Sequence, residues 1–588
     1  MNLRKIGIVT LFFVLALHLT NAQVSFEDKS FQSGIFNLGS NHGVSFGDIN
    51  NDGLEDVYIS VREEGVPNRL FLNRGNVVFE EIGESAGVNS LGVTTSATWG
   101  DINNDGFIDL YIGNTGTANI LYLNNGDLTF SDITIEAGVG DLFDPRSVHF
   151  ADVDNDGFLD IYIHNFGTEN VLFKNNGDNT FTDFTLESQA LDMGPAMGTI
   201  FFDMDDDGDQ DLYVLNDGSK NVLFENLGGG RFQNVSEGSG LDIHCSCMGV
   251  DFADYDQDGD YDMYITNYGA NFLFENNGDG TFTDRAGEFE VDDYGMGWGT
   301  FWFDYDNDGD QDIYLANHQF ISSRPNILYR NDNGSAFPSV SDDTNIESPF
   351  ASFGTAAGDV NNDGLLDIIV ANWGGNARNR LYVNNYESNS SILIKAIGTI
   401  SNASAIGTNV IIKAGDKLQM DQINGATGYA SQSSLILHFG LGQSDIIDEM
   451  IIKWPSGIIE RYYNLPVNQY YTITEQGDIV SINLESAEVT SLSEEEIRTN
   501  LSYPNPFSQD TFIPSPNHMI GKLRLEIYAN TGDQIYSSDH QEIVNDVLGF
   551  RWTGNATDGS QLASGVYFFR ILDESNSLVK TGRLVIDR

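Results

Sequence analysis

From residue 24 to about 386, short apolar runs alternate with polar, glycine-rich turns in a fixed order. One run leads into an Asp-rich loop, as in Val44-Ser-Phe46-Gly, Thr98-Trp99-Gly and Thr300-Phe-Trp302-Phe. A second leaves the loop, as in Val57-Tyr-Ile59. A third reads N-x-L-[FY]-x-N, at 68–73, 119–124, 170–175, 221–226, 271–276, 326–331 and 379–384. A fourth carries Phe and usually an acidic residue two positions on, as in Phe79-Glu-Glu81 and Phe130-Ser-Asp132. Runs this short, bounded by turn residues, predict β-strands, four to a unit.

The unit recurs. The first Asp residues of successive loops are 53, 51, 51, 51, 50 and 55 residues apart. Four strands at a period near fifty predict the blades of a β-propeller. Phe79 lies 22 residues before Asp101, and Phe130, Phe181, Phe232, Phe282 and Phe337 keep that offset from the next loop. Phe26 keeps it before Asp48, whereas no Phe run follows Asn384. The strand at 24–28 is therefore predicted to complete the seventh blade and remove the open edges. The expected fold class is all-β: a seven-bladed propeller closed by its N-terminal strand, then a small β domain and a C-terminal immunoglobulin-like β-sandwich.

Every loop reads D-x-[DN]-x-D-G-x-x-D. Positions 1, 3, 5 and 9 are Asp48, Asn50, Asp52 and Asp56 in the first loop and Asp101, Asn103, Asp105 and Asp109 in the second. They are Asp152, Asp154, Asp156 and Asp160, then Asp203, Asp205, Asp207 and Asp211, then Asp254, Asp256, Asp258 and Asp262. The last two sets are Asp304, Asp306, Asp308 and Asp312, and Asp359, Asn361, Asp363 and Asp367. Ca²⁺ takes six to eight oxygens in flexible geometry, and Gly at position 6 permits the sharp turn that brings them together. An EF-hand would close with Glu at position 12 between two helices; here Asp closes at position 9 between strands. Up to seven Ca²⁺ ions are expected.

These motifs, with Phe46-Gly-Asp48, Trp99-Gly-Asp101 and Phe150-Ala-Asp152 leading into the loops, resemble the FG-GAP (VCBS) repeat family, which includes the integrin α-subunit propeller. The resemblance covers 23–387. It implies Ca²⁺ loops on one face and ligand binding on the other, built from the loops between the fourth and first strands and between the second and third. Residues 388–477 carry Gly425-Ala-Thr-Gly428-Tyr429, His438-Phe-Gly440-Leu-Gly442 and Trp454-Pro-Ser-Gly457. They resemble the ASPIC/UnbV domain, which trails FG-GAP repeats in proteins similar to the cartilage acidic protein 1 family. An acidic, Ser-rich stretch at 478–500 reads as a linker. Residues 501–588, with Tyr503-Pro-Asn505-Pro506-Phe507 and Leu562-Ala-Ser-Gly565-Val-Tyr567, resemble the type IX secretion sorting domain of Bacteroidota. That resemblance implies passage through the outer membrane and removal of the domain.

The formal charge of −59 argues against nucleic acid and anionic membrane surfaces as partners. Residues 1–22 read as a signal peptide: Arg4 and Lys5, an apolar core, then a small-residue cleavage site. No later apolar run is long enough to span a membrane. The mature chain is expected at the cell surface or secreted. A bridge between Cys245 and Cys247, two positions apart, would be strained, and two thiols are expected.

No nucleophile elbow, P-loop or His-Glu-x-x-His motif is present. Most carboxylates already belong to cation loops, where they make poor general acids. The chain is expected to be a binding or adhesion module for glycan or protein ligands. An extracellular polysaccharide-processing enzyme is the alternative. The candidate ligand residues are Arg62, His318, Phe320, Arg324, Trp373 and Arg378 on the longer loops of units one, six and seven. A lesser alternative is a copper or redox centre. The residues six before each loop are His42, Thr95, Arg146, Met197, Met248, Trp298 and Phe353, with His244, Cys245 and Cys247 nearby in sequence.

Overall fold

The computed structural model describes residues 26–484, except 37–38, 323, 375–376, 387–388 and 478. It also describes 511–586, except 515–522, 530–533, 545–546, 558–559, 564 and 573–577. The expected signal peptide and most of the expected linker lie outside the described residues. The chain divides into two units, Met1–Ala487 and Glu488–Arg588.

In the first unit the predicted strands form. Asn41–Gly47, Asp56–Val61, Arg69–Asn73 and Phe79–Glu81 hydrogen-bond in that order as an antiparallel sheet. The order recurs from Val93–Gly100 to Phe130–Asp132, from Pro145–Ala151 to Phe181–Asp183, from Ala196–Phe202 to Phe232–Asn234 and from His244–Ala253 to Phe282–Asp284. The seventh sheet is Ala351–Gly358, Asp367–Trp373, Arg380–Asn384 and then Phe26–Asp28, with Phe26 opposite Asn384. The N-terminal strand thus pairs where the Phe offset places it. Arg380 Nη1 fixes the pairing through Asp28 Oδ2 at 2.5 Å.

Two departures have local causes. The sixth sheet has three strands, Gly297–Phe303, Asp312–Asn317 and Ile327–Tyr329, and the expected fourth is reduced to a bridge between Tyr329 and Ser339. Pro338 sits in the run: its carbonyl accepts from Arg330 N, but it has no N–H to return. The fourth and fifth sheets are joined, because Asp211–Lys220 extends to pair its far end with His244–Ala253. In that extension Cys245 and Cys247 form a disulfide, not the expected pair of thiols. Side chains at i and i+2 of a strand share a face. The strand changes partner at this point, from Ser219 opposite Cys245 to Asn267 opposite Cys247. The Cα atoms stand 5.2 Å apart, within bridging distance.

The first strands are buried along their length and lie against one another in sequence order, with the seventh beside the first. Small residues before five of the seven loops, Gly47, Gly100, Ala151, Ala253 and Gly358, allow this, whereas Phe202 and Phe303 stand before the other two. A Cβ on Gly47 would lie 3.0 Å from Trp99, one on Gly100 2.9 Å from Phe150, and one on Gly358 3.1 Å from Phe46.

Residues 390–483 form two further sheets. In one, Ser390–Ile397 lies between Leu437–Gly442 and Gln469–Thr474. The other runs Lys417–Gln422, Asn409–Ala414, Ile446–Lys453, Ile459–Pro466. Ile392, Ile412, Phe439, Met450 and Trp454 are among the side chains of their shared core. Ile479–Asn483 adds an edge strand to the first sheet, so this domain runs past the position where composition placed a linker. The second unit, considered alone, has two sheets around Ile513, Leu525, Ile527, Phe550, Trp552 and Phe569.

Candidate metal-binding loops and the opposite face

Each loop is built by its own carboxylates. The first Asp accepts the N–H groups of positions 5 and 6: Asp48 takes Asp52 N and Gly53 N, both at 3.0 Å. The ninth Asp ties the loop to the third strand. Asp56 accepts from Ile49 N at 3.1 Å and Asn73 N at 2.7 Å. Position 4 is left-handed in all seven loops, from φ 54° at Asn155 to 61° at Gln257, and Gly at position 6 also has positive φ, as at Gly53 (83°). This double reversal turns the oxygens inward.

The resulting clusters fit a hard cation. Oxygens of Asp152, Asp154 and Asp160 lie within 4.8 Å of one another, as do those of Asp203, Asp205 and Asp211, of Asp254, Asp256 and Asp262, and of Asp304, Asp306 and Asp308. In the loops with Asn at position 3, the amide nitrogen donates to position 5: Asn50 to Asp52 at 2.9 Å, Asn103 to Asp105 at 3.1 Å and Asn361 to Asp363 at 2.8 Å. The position 3 oxygens Oδ1 of Asp154, Asp256, Asp306 and Asn361 are buried without a hydrogen-bond partner. Burial, reinforced by neighbouring carboxylates, pushes Asp56, Asp109, Asp160, Asp262, Asp312 and Asp367 well above the usual carboxylate range. A bound cation would remove both costs. The third loop differs, because Lys174 places its ammonium against Asp154 and Asp156.

Two sets of amide hydrogen bonds join the loops, and neither was foreseen from the sequence. The position 4 side chain donates to the position 6 carbonyl of the next loop: Asn51 to Gly106, Asn104 to Gly157, Asn155 to Gly208, Gln257 to Gly309, Asn307 to Gly364 and Asn362 to Gly53. The fourth loop has Asp206 there, which cannot donate and instead receives Lys453 at 2.5 Å. The last Asn of each third strand donates backwards, to the position 2 carbonyl of the preceding loop. Asn124 reaches Ile49 O at 2.9 Å and Asn73 reaches Val360 O at 2.8 Å. The signal was present, in six amides out of seven at position 4 and seven Asn residues closing N-x-L-[FY]-x-N.

The domain after the repeats lies on this loop face. Its Lys395 meets Asp48 at 3.1 Å, Lys417 meets Asp310 at 2.8 Å, and Ser404 Oγ accepts from Asp101 N at 2.8 Å. Residues 424–434 continue between the innermost strands. Gln432 exchanges backbone hydrogen bonds with Val44 and Phe46, and Gly428 exchanges them with Val250. The Gln432 side chain bonds both backbone groups of Trp99. At the far end Tyr429, fully buried, lies against Met197, Met248, Trp298 and Phe353.

That packing answers the soft-metal alternative. Met197 and Met248 are spent on Tyr429, and the two sulfurs of Cys245 and Cys247 are bonded to each other rather than available as thiolates. Burial holds His42 neutral, down to about 3. Its Nδ1–H donates to Thr95 O at 2.9 Å and its Nε2 accepts from Arg62 at 3.4 Å.

Of the candidate ligand residues, three converge. Trp373 and His318 lie at ring separations of 6.4 and 5.4 Å from Phe353, and His42 lies tilted against Phe353 at 5.1 Å, bringing Arg62 with it. Arg324 is diverted to Asp293 at 2.6 Å, and Arg378 lies over Phe36 at 4.8 Å. The Phe320 side chain lies outside the described residues.

Comparison with known families identifies the parts. A model described as FG-GAP-like repeat matches 48–112, 101–163, 203–265, 254–315 and 304–370. The ASPIC and UnbV model matches 398–480, and the Secretion system C-terminal sorting domain matches 502–587. The chain belongs to the FG-GAP repeat proteins that carry an ASPIC and UnbV domain, and its tail sorts it through type IX secretion to the cell surface or outside. It is similar to Cartilage acidic protein 1 of Xenopus tropicalis, 24% identical over 470 residues that span 71% of each chain. The Homo sapiens protein of that name is 26% identical over 71% of this chain and 60% of its own length. The Mus musculus protein is 28% identical over 34% and 32%. Among the described residues no helix is long and apolar enough to cross a membrane.

Proposed function

We propose that residues 23–387 form a seven-bladed propeller closed by Phe26–Asp28, with up to seven Ca²⁺ ions on one face and a ligand surface on the other. The protein acts outside the cell as a binding or adhesion module for glycan or protein ligands, and not as an enzyme. The C-terminal unit is an immunoglobulin-like sandwich that serves export. Closure is supported by contacts that continue unchanged from the seventh repeat to the first: Gly358 against Phe46, Asn362 to Gly53 O, and Asn73 to Val360 O. The observation that carries the Ca²⁺ reading is the set of buried, partnerless position 3 oxygens inside converging carboxylates. Binding on the far face is supported by the exposed Trp373 beside His318, with Arg62 joined to the same cluster through His42 and Phe353, and by exposed Phe166, Tyr268 and Tyr294 on other loops.

The test is thermal unfolding of residues 23–588 in millimolar Ca²⁺ and in EGTA, with metal analysis of the purified protein. One site at a hundred times its Kd stabilises by about 2.7 kcal/mol, so several filled loops should raise the midpoint steeply. An unchanged midpoint with no bound Ca²⁺ would reduce the loops to turns.

A further inference from the structure

The mouth opposite the Asp loops collects more hydrogen-bond donors than its own acceptors satisfy. Among the described residues Arg62 makes no direct ion pair; its guanidinium meets the neutral His42 ring at 3.4 Å, and Asp144 attracts it from further off. Arg146, from the third repeat, is held by Asp144 at 2.9 Å and lies over Phe166 at 4.9 Å, and its Nε–H is buried and unpaired. Burial and, after it, the nearby Arg146 guanidinium push the Arg62 pKa down. Tyr429, fully buried, lies edge-on to His42 at 5.4 Å within the electrostatic reach of both arginines and of Asp144, and its hydroxyl makes no hydrogen bond of good geometry. Trp298, edge-on to Tyr429 with ring centroids 4.7 Å apart, also leaves its indole N–H unpaired. In a chain of net charge −59, two neighbouring cations share one mouth with spare N–H and O–H groups. A buried donor left unpaired keeps its full desolvation cost, so the arrangement calls for an acceptor-rich ligand.

We propose that this mouth binds the negative group of an acidic sugar, a carboxylate or a sulfate ester. The inference rests on the reading of that face as the ligand surface. Guanidinium pairs match planar carboxylate and sulfate oxygens. Trp373, 43% exposed and linked through Phe353 to the same cluster, offers a flat face for the sugar ring. A sugar supplies acceptors at its ring and glycosidic oxygens. A peptide would bring backbone N–H donors to a place already crowded with them.

The experiment is titration calorimetry on the Ca²⁺-loaded chain with four probes. These are galacturonic acid hexamer, its methyl ester, a sulfated galactose hexamer and hexaglutamate. Binding is expected for a charged sugar, with the acid and sulfate arms telling which group is preferred. The methyl ester should bind about tenfold or more weakly, as loss of a charge-assisted hydrogen bond dictates. Arg62→Gln and, separately, Arg146→Gln should each weaken the charged sugar about tenfold. Tyr429→Phe, which keeps the ring packing, should weaken it several-fold. Equal affinity for the ester, tighter binding of hexaglutamate, or no binding of either charged sugar would overturn the proposal. Retained affinity in either Arg variant that keeps its thermal midpoint would also overturn it. Binding of the ester without Arg dependence would defeat this inference alone and leave the ligand surface standing.

Discussion

Single residues set the pH response. Asp251 lies on an innermost strand and Asp421 on the domain that covers it. Burial, with some mutual repulsion, pushes Asp251 up to about 8, and burial pushes Asp421 up to about 7. Asp251 accepts Trp302 N at 2.8 Å, a bond its protonated form can keep. Both hold a proton in the folded state that an unfolded Asp, near 4, has already lost. Their stabilising contribution is complete below pH ~4 and disappears as pH rises through 7 to 8. With Ca²⁺ saturating, Asp251→Asn should therefore lose less stability than the parent between pH 6 and pH 9. Circular-dichroism melts across that range check it, since loop contributions cancel in the comparison. A parallel pair of curves would mean that Asp251 is already ionised at pH 6. Cys245 and Cys247 make a separate prediction. The denatured protein should show no reactive thiol to Ellman's reagent before reduction and two afterwards. Their separation and shared face were legible in the sequence. The extension of a neighbouring strand that re-shapes the backbone there was not, because it depends on which strand meets His244–Ala253 in space.

At the scale of the element, the loops and strands cooperate through Asn side chains. Asn124→Ala removes two donors, to Ile49 O and Ile108 O, and the acceptor that holds Gly126 N at 3.0 Å. With two buried carbonyls left unpaired, the loss should be about 2–5 kcal/mol, read as a fall in denaturation midpoint. Asn155→Ala removes links to Gly208 O and Asp209 at the surface and places Ala in a left-handed conformation, and should cost about 1–2 kcal/mol. Equal losses would show that the links between loops matter as much as those from the third strand. The sequence made the strands and loops legible because period, Gly and Asp each have a local cause. It hid the links between loops because their acceptors are backbone carbonyls 50-odd residues away, which carry no residue identity. It also overran at Phe337, where a matching offset outweighed the missing N–H of Pro338.

For the whole molecule, the sequence presents an accessory domain appended to a set of repeats, and the structure interleaves the two. Side-chain patterning gave no sign of this, because most of the joints involve main-chain atoms of 424–434 and of strands whose own pairing is already satisfied on one side. Gln432 and Gly428 complete hydrogen bonds of Val44, Phe46 and Val250, while Ser434 N reaches Ala357 O at 3.0 Å. Asn424 reaches Phe201 O at 2.9 Å. Removing the segment would leave these groups unpaired and expose the apolar surface around Met197, Met248, Trp298 and Phe353. The domain is thus an internal strut of the repeats. A chain ending at 387 should aggregate or melt far below one ending at 487, even in millimolar Ca²⁺. Tyr429→Ala, which empties the far end of the segment, should cost about 3–5 kcal/mol by cavity formation. A soluble 23–387 chain that melts within a few degrees of the longer one would show that the repeats stand alone and that the segment merely occupies space between them.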